Sequence, residues 1–359
     1  TIKINLEFKK CHKNHCKIMI KKFIKYSKKS SDIQDIKKNF FSSNTQLLKS
    51  NKLIVKLLKK QPVRKNCKNC GFRMNTKSDF SSHNMEYKIC KICSHLNSKY
   101  IDNLNFHKEI YDNDKFSYSK FYSKEYNKRV KKIYVPKVDF LIEFFKKKKI
   151  KNIKILDIGS GAGHFVKACQ IRKIDAVGLE VNKKMVKVGE KFLTKGSLIH
   201  SINAQYSLNL IEKSNFTVVS LISVLEHLEN PYEMFKSFNR SKNKYLFLSI
   251  PLFNLSVFIE SIFQNVYPRH TAIMHPHIYS YESIQYVLKK YNLIICAEWW
   301  FGTEMLDLNR SFNVSFQKNK SQKFLDIFKK NFTNHIDMLQ EIFDKKKLSS
   351  EVHLIIKKK

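Results

Sequence analysis

Ile155-Leu156-Asp157-Ile158-Gly159-Ser160-Gly161-Ala162-Gly163 is the stretch from which the rest of this 359-residue chain can be read. Residues of buried-strand character run straight into three glycines spaced two apart, and an amphipathic helix follows. Phe165, Ala168, Cys169 and Arg172 fall at i, i+3, i+4 and i+7, which gives that helix a short apolar face. Glycines at such a turn let backbone approach a ligand closely and accept angles that other residues resist. The dinucleotide pattern G-x-G-x-x-G would need its last glycine at His164, which argues against NAD as the ligand.

The flanking sequence repeats the same alternation. A second strand, Ala176 to Leu179, ends in Glu180, seventeen residues past Gly163. An alternating α/β fold places an acid there to accept hydrogen bonds from ribose hydroxyls. A solvated charge at a strand end is the plainer alternative. A helix (Met185, Val188, Phe192) leads to a third strand at Leu198 to Ile202, followed by Asn203-Ala204. Asparagine accepts a hydrogen bond through its carbonyl but carries no charge. A fourth strand, Phe216 to Ile222, runs into Ser223-Val224-Leu225-Glu226-His227-Leu228. Asn230-Pro231 then opens a helix, with Glu233 where a capping box wants it. A fifth strand, Tyr245 to Ile250, stops at Pro251. This alternation predicts a doubly wound parallel sheet with its ligands beyond the carboxyl ends of the strands.

A strand ending in an acid before G-x-G-x-G resembles the first motif of class I S-adenosylmethionine-dependent methyltransferases, with Asp157 as the acid. The resemblance spans about residues 150 to 358. It implies a Rossmann-like, seven-stranded sheet that binds S-adenosylmethionine. The residues it offers to the cofactor are Asp157, Gly159, Ser160, Gly161, Gly163, Glu180, Val181, Asn203, Ala204 and Ser223. Asn203 replaces the family's usual aspartate, and Thr217 replaces an aspartate before the fourth strand. Glu226-His227 matches a Glu-His of many relatives. Some of these add an acid three residues earlier to hold Mg²⁺; Ser223 stands there, which implies no active-site metal.

Cys67-Lys68-Asn69-Cys70 and Cys90-Lys91-Ile92-Cys93 lie nineteen residues apart. Two C-x-x-C knuckles at that separation read as a structural zinc site, since each pair chelates one ion and four thiolates close a tetrahedron. A module this small has little core of its own, so the metal would supply much of its folding energy. A closed Cys₄ site has no open position for chemistry. Cys11-His12 and His15-Cys16 form a looser cluster, read either as metal ligands or as scattered polar surface.

A net charge of +38 ordinarily points to nucleic acid or anionic membrane. Only seven of the 68 basic residues are arginine, however, and the lysines spread over the whole length. Arginine is the residue suited to planar phosphate and base recognition, so the charge reads as a solvated surface and nucleic acid as the less favoured partner. Abundant asparagine and isoleucine with scarce glycine and proline fit an AT-rich genome. No run reaches the roughly eighteen uncharged apolar residues of a membrane span, and no signal peptide is visible. A cytoplasmic protein is expected. The chain begins at Thr1, which leaves its N-terminal end open.

Four segments result: a basic helical extension at 1–62, the zinc-binding module at 63–100, an aromatic helical bridge or lid at 101–149, and the methyltransferase domain at 150–359. The bridge carries Phe116, Tyr118, Phe121, Tyr122 and Tyr126, then a helix from Pro136. Past the fifth strand, Met274-His275-Pro276-His277-Ile278-Tyr279-Ser280-Tyr281 precedes a helix, where an acceptor should lie. One histidine there could act as general base or pack against the helix. His277 is the first candidate, with His275, His227 and Glu226 beside it. A long helix (Phe324 to Phe343) and an antiparallel closing strand at Glu351 to Ile356 complete the domain.

Two C-x-x-C knuckles ahead of this domain look like those of deoxysugar C-methyltransferases, which carry Tyr-His-Glu-His-x-x-Tyr. This chain keeps His275, His277 and Ser280-Tyr281 but has Met274 and Pro276 at the tyrosine and glutamate positions. From Phe301-Gly302 onward it resembles methyltransferases of surface-polysaccharide biosynthesis. The resemblance implies a small-molecule, sugar-nucleotide or glycan acceptor. A zinc-ribbon RNA methyltransferase and a non-catalytic scaffold that binds S-adenosylmethionine remain as alternatives. The oligomeric state is not legible.

Overall fold

Apolar, β-branched strands separated by amphipathic helices bury both faces of a sheet, and the chain folds accordingly. The computed structural model describes residues 22–34, 36, 43–107, 109, 110, 123–271, 275–318 and 321–359. The Cys11-His12/His15-Cys16 cluster, Phe116, Tyr118, Phe121, Tyr122 and Met274 lie outside them.

The N-terminal part holds β1 (Phe23–Tyr26), α1 (Ser30–Gln34), α2 (Asn44–Leu58), β2 (Phe80–Ser82), β3 (Met85–Ile89), β4 (Leu96–Ser98) and α3 (Leu104–His107). Helix α4 (Tyr126–Arg129) runs through a π-helical turn at Val130–Tyr134 into α5 (Val135–Lys147). Next come β5 (Lys154–Ile158), α6 (His164–Ile171), β6 (Asp175–Glu180), α7 (Lys183–Glu190), β7 (Leu198–His200) and α8 (Ala204–Lys213). They are followed by β8 (Val218–Ile222), α9 (Pro231–Arg240), β9 (Tyr245–Pro251), α10 (Leu255–Ile262) and β10 (His277–Ile278). The chain ends with α11 (Tyr281–Lys290), β11 (Leu293–Phe301), α12 (Glu304–Lys318), α13 (Gln322–Asn331), α14 (Ile336–Lys345) and β12 (Glu351–Lys358).

The large sheet has the order β1-β11-β12-β9-β8-β5-β6-β7. Strands β5 to β9 within it are parallel, and β12 runs antiparallel to both β9 and β11. Alternate residues feed opposite cores, as strand geometry requires. Leu156 and Ile158 pack toward Phe235, Phe238 and Ile284. Ile155 packs toward Phe140, Phe144 and Phe165 from α5 and α6.

Two expectations need correction. The extension is not wholly helical: Phe23-Ile24-Lys25-Tyr26 pairs in parallel with β11 and adds an eighth strand to the expected seven. Its aromatic and β-branched residues suit a strand, and it covers an otherwise open sheet edge. Phe23 stacks on Phe140, and the Lys25 ammonium sits 4.5 Å over Trp299. The long C-terminal helix is broken, with a 3₁₀ turn at Thr333–His335 separating α13 from α14.

A second sheet, β10-β4-β3-β2, crosses the boundary anticipated between module and catalytic domain. Strand β10 pairs with β4, so His277 lies opposite Asn97. One apolar cluster draws on Ile54 and Leu58 of α2, Met85 and Tyr87 of β3, Val257 of α10 and Ile278 of β10. The cysteine-bearing module therefore forms a wall of the region beyond the large sheet's carboxyl edge.

Candidate active site

The glycine bend at the end of β5 is left-handed three times, at Gly159 (φ 65°), Gly161 (φ 57°) and Gly163 (φ 70°). A side chain at Gly159 would also collide, since a Cβ there would lie 2.6 Å from Val224 Cγ2. The bend is therefore bare backbone where the fold binds ligands. Gly161 N–H donates to Glu180 Oε2 (2.7 Å), and Asn182 N–H donates to Glu180 Oε1 (2.8 Å). The acid at the end of β6 is thereby fixed beside the bend, as its spacing predicts. Burial raises its pKa, and these backbone donors oppose the rise. Asp157 is buried and accepts from Ser220 Oγ (2.7 Å); desolvation pushes its pKa up to about 7.

The remaining cofactor candidates are less uniform. Val181 is exposed, and Ser160 N–H donates to the Leu179 carbonyl. Asn203 uses its side-chain oxygen to cap α8, accepting from Tyr206 N–H at 2.8 Å, and Ala204 is the first residue of that helix. Ser223 turns the chain after β8 with φ 53° and donates its N–H to the Ser249 carbonyl. Pro231 starts α9 as expected, but Asn230 makes no side-chain capping bond. Tyr126 of the bridge reaches the bend: it donates its hydroxyl to the Ala162 carbonyl (3.0 Å) and stacks on His164 and Phe192.

The residues nominated for the acceptor side come from the turn after β8 and from the region of β10. His277 is fully buried, and its tautomer follows from a chain of bonds into the cysteine module. Ser283 Oγ donates to the Ser280 carbonyl (2.9 Å) and so accepts from His95 Nδ1 (3.2 Å). His95 Nε2 is then an acceptor, and His277 Nδ1–H donates to it at 2.9 Å. His277 Nε2 is left with a lone pair and makes no hydrogen bond within the protein. Burial holds both imidazoles well below their ordinary pKa, so both stay neutral. Sequence reading missed His95, because no motif or spacing rule picks out a residue two past a zinc knuckle. It also passed over the role of Tyr279, whose buried hydroxyl is likewise unbonded within the protein and whose ring lies 5.4 Å from that of His277.

Glu226 is fully buried, with both carboxylate oxygens unbonded within the protein, and burial pushes its pKa up to about 8. Ligand-type atoms of Glu226, His227 and His275 all lie within 4.8 Å of one another. The structure thus brings together three of the four candidates, and the turn that carries Glu226 and His227 touches β10, which carries His277.

In the cysteine module, the Sγ–Sγ distances are 3.7 Å for Cys67–Cys93 and 3.5 Å for Cys70–Cys90, too long for a disulfide. Metal–sulfur bonds of about 2.3 Å in a tetrahedron give edges of about 3.8 Å, which these separations approach. Asn97 and Asn69 amides donate to Cys67 and Cys93 sulfur, each at 3.6 Å. The Cys93 contact and burial push the Cys67 thiol up, and burial pushes Cys70 up to about 11. The four sulfur atoms form a group able to hold a metal ion.

Parallel sheet order, glycine bend and the acid at the end of β6 are those of a class I S-adenosylmethionine-dependent methyltransferase domain, and the chain carries a methyltransferase domain and is an enzyme. Residues 126–298 match the family described as "Methyltransferase domain". Among curated proteins none matches the chain. A solved S-adenosylmethionine-dependent methyltransferase from Archaeoglobus fulgidus is 20% identical, with 62% of this chain and 92% of that one covered and a TM-score of 0.40. Magnesium protoporphyrin IX methyltransferase from Synechocystis PCC 6803, solved with bound S-adenosylhomocysteine, is 14% identical, with 56% and 94% covered and a TM-score of 0.42. No helix among the described residues is long and apolar enough to cross a membrane.

Proposed function

We propose that this enzyme methylates a hydroxyl-rich small molecule, a sugar nucleotide or a glycan precursor of the surface-polysaccharide kind. The observation that carries the reading is a group of buried polar atoms with no hydrogen bond inside the protein: both Glu226 oxygens, His277 Nε2 and Tyr279 Oη. Burying such groups unpaired is costly, and an acceptor with several hydroxyls would pair them. Bound S-adenosylmethionine supplies a methyl group already activated by its sulfonium. The bare Gly159–Gly163 bend admits the cofactor's close approach, and Glu180 receives its ribose hydroxyls. His277 Nε2 takes the acceptor proton, with the tautomer held by His95. Orienting the acceptor in line with the breaking bond can contribute about 7–11 kcal/mol.

In the same reading Cys67, Cys70, Cys90 and Cys93 hold a structural Zn²⁺, and their reduced thiols suit a cytoplasmic setting. The test is mass spectrometry of sugar-nucleotide, glycan and RNA extracts incubated with the enzyme and isotope-labelled S-adenosylmethionine. Label is expected in a sugar-bearing product. Label in RNA, with binding that weakens steeply as salt rises, would replace this acceptor by nucleic acid. Cofactor uptake without product in any extract would favour the scaffold.

A further inference from the structure

Beside the cofactor bend lies a second cluster of ligand-type side chains, distinct from the four cysteines. His227 Nε2 lies 3.9 Å from Glu226 Oε1, and the rings of His227 and His275 are 5.0 Å apart. Glu226 and His227 sit on the 3₁₀ turn Leu225–His227 after β8, while His275 arrives just before β10. Two separately anchored elements therefore converge on one point.

The side chains are prepared as well as close. His275 Nδ1 lies 3.0 Å from the His270 carbonyl. A carbonyl only accepts, so Nδ1 carries the proton and Nε2 offers its lone pair. Imidazoles that bind metals ordinarily make this outer bond, which fixes ring orientation. His270 and Thr271 are pinned in turn, since their backbone N–H groups donate to Glu260 Oε1 (2.9 Å) and Oε2 (2.8 Å). Glu226, fully buried and with neither oxygen bonded within the protein, holds a proton at neutral pH that a bound cation would displace, which would make it the anionic member. The nearby buried ammonium of Lys137 donates to Ser249 Oγ (2.7 Å).

We infer that Glu226, His227 and His275 bind a divalent cation, although Ser223 leaves the position of a further acid unfilled. One carboxylate and two imidazoles suit Mn²⁺, Fe²⁺, Co²⁺ or Zn²⁺ better than Ca²⁺, which takes oxygen ligands alone. Three protein ligands leave coordination positions open, as catalytic rather than structural sites do.

The use of those positions rests on the acceptor reading above, whereas cation binding itself does not. An acceptor hydroxyl bound there would lose its proton more readily. The proton passes to His277 Nε2, and an oxygen lone pair forms the new carbon–oxygen bond. The carbon–sulfur bond pair returns to sulfur and cancels its positive charge.

The experiment titrates the full chain, purified with its thiolate-bound metal, with Mn²⁺, following free Mn²⁺ by electron paramagnetic resonance. Mn²⁺ is a poor competitor for thiolates, so it reports on the second cluster. One Mn²⁺ per chain is expected. Substituting Glu226→Gln or His275→Ala should weaken uptake at least about tenfold, with the circular dichroism spectrum and S-adenosylmethionine uptake unchanged. His275 is only partly buried, so its substitution guards against a folding failure at Glu226. No Mn²⁺ or Co²⁺ uptake, or uptake unaltered by His275→Ala, overturns the proposal. Uptake as expected with no hydroxyl acceptor methylated keeps the metal site and removes the acceptor reading.

Discussion

The cysteine cluster and the Glu226–His227–His275 cluster contrast in almost every physical respect. Cys67, Cys70, Cys90 and Cys93 come from two knuckles of one small module, with sulfur–sulfur contacts of 3.5 and 3.7 Å. Four like ligands of that kind saturate a tetrahedral ion. The second cluster mixes one buried carboxylate with two partly buried imidazoles, drawn from the turn after β8 and from the segment just before β10. It offers three ligands, and its turn Leu225–His227 touches the strand that carries His277, whose Nε2 is unbonded within the protein. The first cluster is suited to hold a fold and the second to meet a substrate. They are linked mechanically, because His95, two residues past Cys93, sets the tautomer of His277.

The contrast breaks most visibly if the cysteine cluster is dispensable. Replacing Cys67 and Cys90 together by serine should abolish zinc in elemental analysis and unfold the module, since structural zinc sites contribute about 10–16 kcal/mol of binding free energy. Retention of a full protease-resistant core without zinc would refute the assignment. For the open side, His277→Ala should lower turnover about 10²- to 10⁴-fold while calorimetry shows unchanged cofactor affinity. Unchanged turnover removes His277 from the chemistry. His95→Phe should give a smaller loss of turnover at the same cofactor affinity, because it frees the His277 tautomer without removing the base.

A third effect lies in the module's own electrostatics. Asp102 is buried between Arg64 and Lys68, with His107 3.1 Å away, and these cations hold its carboxyl well below the usual range against the burial that would raise it. Asp102→Ala strands two buried cations and should cost about 3–5 kcal/mol in chemical denaturation. The smallest effect is a pH dependence at the cofactor bend. Burial lifts Asp157 to about 7 from its ordinary 3.8, so the folded chain keeps a proton that the unfolded chain has lost across that window. Stability of the cofactor-free protein should therefore fall as pH rises from about 4 to 7. Asp157→Asn should flatten that slope in a melting series; an unaltered slope would show that Asp157 does not titrate there.

Much of the cofactor side was legible because its signals are local. The Gly159–Gly163 bend and Glu180 are spaced by one strand–helix–strand unit, and the structure joins them through the Gly161–Glu180 bond. The cysteine knuckles were legible for the same reason. The acceptor side was only partly so: His227, His275 and His277 could be nominated, but not the bonds that give each its role. Strand β1 was missed because four residues in a lysine-rich tract carry too little periodicity to compete with a helix pattern.

The sequence by itself determined the alternating sheet, the left-handed glycine turn and the thiol set, since each depends on residue type and short-range spacing. Tertiary structure alone decided that β10 would join the cysteine module's sheet, that His95 would meet His277, and that Glu226 would be buried against two imidazoles. Except for that of Glu226 with its neighbour His227, those contacts join residues 49 to 182 positions apart, and no local preference encodes them. They arise when separate apolar faces bury one another and carry their polar side chains along.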